Sequence, residues 1–138
     1  MFTENFTSQP KPGDYITCQV GAYKLRAYLI KDEQTSPYDF GRVGYGYYSE
    51  PSPCSGRARE ITKLWQDGRW RYCGIEIEVE CAESGDLLAD DVTVYGLIVD
   101  GSAIKNRALL DAANLLIDEA IEQAEENSEN EIRLNVLV

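Results

Sequence analysis

From Trp70 to Cys81 the chain alternates between two kinds of residue. Cys73, Ile75, Ile77, Val79 and Cys81 share one parity, and Trp70, Tyr72, Gly74, Glu76, Glu78 and Glu80 share the other. Side chains of a β-strand point alternately to opposite faces of the sheet. The pattern therefore predicts one long strand with an apolar face on a core and a second face carrying carboxylates to solvent. A sheet solvated on one face is characteristically antiparallel, and that limits the folds open to the rest of the chain.

Residues 1–13, polar with two prolines and a final glycine, read as a flexible arm. Asp14 to Lys31 reads as a β-hairpin: Ile16, Cys18 and Val20 alternate with polar neighbours, Gly21-Ala22 turns the chain, and Leu25, Ala27 and Leu29 resume the alternation. Val43 to Tyr48 alternates tyrosines with glycines and suits either an edge strand or an aromatic loop. Gly56 to Asp67 has helical spacing through Ala58, Ile61, Leu64 and Trp65. Val92 to Val99 returns as a strand after a turn at Ser84-Gly85-Asp86, and Ser102 is placed to cap a long helix. Ile104, Ala108, Leu109, Ala112, Ala113, Leu116, Ala120 and Ala124 outline its buried stripe, which is expected to break at Asn127 to Asn130. Ile132, Leu134 and Val136 then suggest a final strand. The expected fold class is α+β: a single domain over residues 14–138, with an antiparallel sheet of about 4–6 strands and a long C-terminal acidic helix packed on one face.

A length of 138 residues, 43% of them apolar, suits one folded domain. No basic, apolar leader and no membrane-length apolar run is present, so a cytoplasmic location is expected. Histidine is absent, which removes the commonest general base and metal ligand. Cys18, Cys54, Cys73 and Cys81 form no Cys-x-x-Cys pair and are expected as reduced, mostly buried thiols. No phosphate loop, dinucleotide fingerprint or nucleophile elbow occurs, so no enzyme, cofactor or metal is expected.

Charge points to a partner. Residues 1–72 carry 10 Lys+Arg against 8 Asp+Glu, and residues 73–138 carry 3 against 16, giving +2 and −13 and so the net −11. Asp118, Glu119, Glu122, Glu125 and Glu126 crowd the far half of the terminal helix without an interspersed cation, in a place the helix dipole disfavours. Glu76, Glu78 and Glu80 form a row about 6.8 Å apart on the sheet, too straight to converge on one ion. The bland alternative for both groups is a surface tuned for solubility. Trp70, Tyr45 and Tyr47 are the candidate aromatic anchors for a protein partner. Direct nucleic-acid binding is opposed by the net charge.

The run Trp65-Gln66-Asp67-Gly68-Arg69-Trp70-Arg71-Tyr72-Cys73-Gly74-Ile75-Glu76-Ile77 resembles a "W-x-x-G/D-E-W-x-Y-x-G-V" segment of small acidic proteins from phages, prophages and other mobile elements. Their following "S-L-W-G-I-E-S" strand is similar to Thr93-Val94-Tyr95-Gly96-Leu97-Ile98, with Tyr in place of Trp and Ile in place of Glu. The longer basic insertion common in that group is missing here. The resemblance implies no catalytic residues. It implies a mobile-element setting, in which small acidic proteins often inhibit host defence enzymes.

Together these readings lead to a non-enzymatic inhibitor that occupies a basic nucleic-acid-binding surface of a host defence complex, of the anti-CRISPR or anti-restriction kind. Strict DNA mimicry is its sharper form and would need strand and helix together, with or without a homodimer mate. The alternative is a structural or regulatory adaptor that homo-oligomerises, with its acids serving solubility. No membrane partner is expected.

Overall fold

The structure is a computed structural model that describes residues 1–39 and 56–137. In chain order the elements are β1 (Tyr15–Val20), β2 (Tyr23–Lys31), α1 (Gly56–Gln66), β3 (Arg71–Cys81), β4 (Leu87–Val99), α2 (Ala103–Leu115) and α3 (Ile117–Leu137). The four strands form one sheet in the order β1-β2-β3-β4, every neighbour antiparallel. The fold is α+β, with the C-terminal helices packed on one face. The aromatic segment that includes Tyr45 and Tyr47, and with it the proposed edge strand, lies outside the described residues, as does Cys54.

Alternation decides which face each strand buries. Leu25, Ala27 and Leu29 of β2 and Ile75, Ile77 and Val79 of β3 are fully buried on the inner face, against Leu109, Leu110 and Ala113 of α2 and Ile117, Ala120 and Ala124 of α3. Each such branched side chain contributes about 1.5–3 kcal/mol on burial. The three alanines let the helix axes approach the sheet. Ser102 caps α2 as its sequence position suggested: its Oγ accepts a hydrogen bond from the Lys105 amide at 3.2 Å.

The terminal helix differs from expectation in two ways. It is interrupted by a turn at Leu116, so the acidic segment begins a new helix. It also does not break at Asn127 to Asn130, and the expected final strand from Ile132 is instead the end of α3, which runs to Leu137. Asparagine lowers helix stability by only a fraction of a kcal/mol, and Asn127 is otherwise engaged: its Nδ2 donates to the Leu88 carbonyl at 2.9 Å and its Oδ1 accepts from Gln123. Extending an existing helix costs less than nucleating a new element.

The outer face is also partly covered. Tyr72 and Ile98 face each other across β3 and β4 on the side opposite Cys73, and both are buried in a second small core with Trp70 and with Ile61 of α1. Helix α1 therefore lies over the Arg71 end of the outer face, where helices on a single face were expected. Among the described residues no helix covers the Glu76–Glu80 end.

Residues 1–13, expected as a flexible arm, are docked. Phe2 and Phe6 are buried in the main core. Asn114 brackets Phe2, accepting from its amide at 2.7 Å and donating to its carbonyl at 3.0 Å. Asn106 Nδ2 donates to the carbonyls of Phe6 and Thr7. The segment lacks regular structure because two asparagines of α2, rather than a neighbouring strand, satisfy its backbone.

Candidate partner-binding surface

The strand row is partly neutralised by its neighbour. Register places Tyr28 opposite Glu76, Arg26 opposite Glu78 and Lys24 opposite Glu80. The Arg26 guanidinium donates to Glu78 at 3.2 Å and also to Glu80. The hydrogen bond from Arg26 holds the Glu80 carboxyl below the ordinary carboxylate range, and the same bond raises the guanidinium's own pKa. Arg26 also lies 6.0 Å from the centre of the Tyr15 ring, which itself packs on Tyr28 at 5.2 Å. One cation thus knits three strands.

Glu76 is different. Its cross-strand neighbours, Tyr28 and Thr93, carry no charge at neutral pH. Partial burial raises its pKa first, and the charges of Asp90, Glu78 and Asp91 raise it further. Asp90 and Asp91 were not among the expected site residues. They sit exposed on β4, where shifts in pairing register interrupt its ladder with β3. Their signal in the sequence was a charged doublet inside an otherwise apolar strand.

Helix α3 carries the larger group. Ile117, Ala120 and Ala124 form its buried stripe, while Asp118, Glu119, Glu122, Glu125 and Glu126 are all exposed, as are Glu129 and Glu131. No ion pair joins any of these acids to a cation among the described residues. The turn at Leu116 changes their electrostatics. Asp118 and Glu119 occupy the first turn of α3, where free N–H groups favour carboxylates, instead of the unfavourable half of one long helix. Seven carboxylates between Asp118 and Glu131 span about 20 Å of axis, or roughly one per 3 Å.

The two acidic groups do not meet. Glu76, Glu78 and Glu80 lie on the outer face of the sheet, and α3 packs on the inner face. The bond from Asn127 to Leu88 sets α3 beside β4, close in sequence to Asp90 and Asp91. Asp90 and Asp91 also lie near enough to the row to raise the Glu76 pKa, so the doublet adjoins the glutamate row as well.

Trp70 is 4% exposed. Its indole N–H donates to the Ile61 carbonyl at 2.8 Å and its ring meets Tyr72 edge-on at 5.1 Å, so it fastens α1 to the sheet and offers no free face to a partner. Cys18, Cys73 and Cys81 are free thiols, and burial pushes Cys73 up to about 12. Among the described residues no group of three or more Cys, Asp or Glu side chains is placed to hold a metal ion. No described helix is long and apolar enough to cross a membrane. Comparison with protein-family models, with curated proteins and with solved structures finds no match.

Proposed function

We propose that this protein is a non-catalytic binding protein whose α3 face occupies a basic, nucleic-acid-binding surface of a host defence complex, in the manner of an anti-CRISPR or anti-restriction inhibitor. The observation that carries this reading is the run of exposed carboxylates on α3 with no cation among them. Their spacing of roughly 3 Å is close to the ~3.4 Å per charge of one nucleic-acid strand. That supports imitation of a single strand of phosphates more than of a duplex, whose charges come every ~1.7 Å. Glu78 and Glu80, already paired with Arg26, contribute less to such a surface. The class of partner follows from the resemblance to mobile-element proteins.

The test is capture of partners from bacterial lysate by the tagged chain, at two salt concentrations, with identification by mass spectrometry. The reading expects a nucleic-acid-processing complex that salt releases and added DNA competes away. Glu122→Lys, Glu125→Lys and Glu126→Lys together are expected to abolish capture, while Glu78→Gln with Glu80→Gln leaves it intact. Capture by the triple variant that is unchanged and indifferent to salt overturns the charge mechanism.

A second reading, a self-associating adaptor, draws on α2. Ile104 and Leu115 are 81% and 83% exposed. Three helical turns separate them, so they lie on one side of the helix. Light scattering that finds a stable homo-oligomer, weakened by Ile104→Ser and Leu115→Ser, with no co-purifying complex, would favour it.

A further inference from the structure

At the end of the sheet opposite the glutamate row, the loop before β1, the turn before β3 and the turn after β4 enclose a cavity of about 150 Å³. That is space for roughly five waters at ~30 Å³ each. Lys11, Arg69 and Arg71 line it, together with the turn glycines Gly68 and Gly101. We propose that this cavity is a binding site for a terminal phosphate group, held by Lys11, Arg69 and Arg71.

Concentration of cations is the first ground. On a chain of net charge −11, three cations share one concavity in which Asp100 is the single carboxylate among the described lining residues, a balance among these of three minus one, or +2. Arg26 and Arg107 elsewhere each engage a carboxylate, whereas none of these three forms an ion pair with a described residue. Two guanidinium groups offer planar forks that match phosphate oxygens, and the ammonium adds a compact charge.

Positioning is the second. Arg71 donates to the Pro10 carbonyl, which uses one of its five N–H groups and leaves the others for a ligand. The loop bearing Lys11 is pinned on both sides: the Lys11 amide donates to Asp14 Oδ2 at 2.8 Å and the Gly13 amide to the Leu29 carbonyl at 2.8 Å. The asparagine bonds at Phe6 and Thr7 hold the same segment further back. Gly68 and Gly101 have φ of +75° and +81°, a region that disfavours side chains, so the two turns present bare backbone to the cavity. Gln9 Nε2 sits against Gly101, within reach of the same space, and can donate to a neutral edge of the ligand.

The −11 charge does not forbid an anion here. Screening at physiological salt reduces charge interactions beyond about 8 Å, and the carboxylates of the glutamate row lie at the far end of β3. Attraction at the site is therefore short-ranged and salt-sensitive. The inference does not depend on what α3 binds.

The test is an amide NMR titration with inorganic phosphate at pH 7.5, with ionic strength held constant by chloride. Saturable shifts at Gly68, Arg69 and Gly101 are expected, weakened about tenfold by Lys11→Gln and again by Arg69→Gln, each of which removes a charge-assisted contact. The spectra report the fold of each variant directly. Shifts that never saturate, that chloride reproduces, or that survive both substitutions overturn the site. A parallel titration with dimethyl phosphate separates a terminal phosphate from a phosphodiester backbone. Weaker binding of the singly charged diester supports the assignment, and equal or tighter binding overturns it.

Discussion

The backbone N–H of Gly96 donates to Asp32 Oδ2 at 2.8 Å, tying the end of β2 to the Val99 end of β4 across 64 residues of chain. Gly96 belongs to a bulge. Cys73 pairs with Leu97 and Ile75 with Val94, so Gly74 faces both Tyr95 and Gly96, and Gly96 takes φ +79°. The same carboxylate accepts from the amides of Gln34 and Thr35 and from the Thr35 hydroxyl. One side chain thus closes the turn after β2 and satisfies a bulge amide outside the regular ladder.

Partial burial pushes the Asp32 pKa up, but the hydrogen bonds from Thr35, Gly96 and Gln34 outweigh it and hold the carboxyl below its ordinary value. A carboxyl depressed in the folded state stabilises the fold above the unfolded pKa and loses that contribution as pH falls through the folded one. Asp32→Asn is therefore expected to cost about 1–3 kcal/mol at pH 7. The gap between variant and parent should narrow as pH drops below ~3.9. Urea denaturation of both proteins from pH 7 to pH 2 measures it, and a gap constant with pH contradicts this account.

Tyr95 and Gly74 meet on the outer face. A Cβ at position 74 would lie 2.8 Å from the Tyr95 ring and 2.8 Å from the Val94 carbonyl oxygen, and 3.0 Å from Ile30. Gly74→Ala is expected to destabilise by about 1–3 kcal/mol through forced displacement of neighbours. Adding Tyr95→Ala removes one obstacle but leaves the backbone oxygen. The double variant should recover only part of the loss, and full recovery in thermal melts would place the whole clash on the ring.

Much of this fold was legible because its strongest signals are local. The alternation through Ile75, Ile77 and Val79 and the cap at Ser102 each need only a few residues, and each led to the observed element. The errors have non-local causes. Trp70 looked like an exposed anchor on the glutamate side because parity says which face a residue is on but not what covers that face. Glu78 and Glu80 looked free because their partner, Arg26, comes from another strand, although Lys24 and Arg26 share the parity that pairing required. The alternation at Ile132 was overridden by a helix already in progress. The docking of Phe2 rests on Asn114, more than a hundred residues away, and no window of sequence contains both.

That docking makes its own prediction. Phe2→Ala should cost about 3–5 kcal/mol, as for other buried phenylalanines. Asn114→Ala keeps the core intact but leaves the Phe2 backbone without its two bonds, so it should cost less, about 1–3 kcal/mol. Hydrogen exchange distinguishes the two. Asn114→Ala is expected to speed exchange in residues 2–7 selectively while the amides of β2 and β3 stay protected, and equal acceleration throughout the sheet would mean that the segment and the core open together.

Glu76 is the one member of the strand row that its neighbours do not balance, and this gives the row an opposite pH response at either end. Burial and the charges of Asp90, Glu78 and Asp91 raise its pKa. A carboxyl raised in the folded state penalises the fold once it ionises: the fold is favoured below the unfolded pKa and loses that advantage as pH rises through the folded one. Glu76→Gln is therefore expected to stabilise the protein at pH 7, by about 0.2–1 kcal/mol as for other cross-strand charge contacts, and to have little effect near pH 3. Arg26→Met acts in the other direction, leaving Glu78 and Glu80 to repel each other and Glu76. Its cost at pH 7 should shrink as the carboxylates are protonated, and in the double variant Glu76→Gln should recover part of it. Urea midpoints of the four proteins at pH 7 and pH 3 test both signs. A Glu76→Gln variant less stable than its parent at pH 7 would mean that Glu76 makes a favourable contact that outweighs its acidic surroundings.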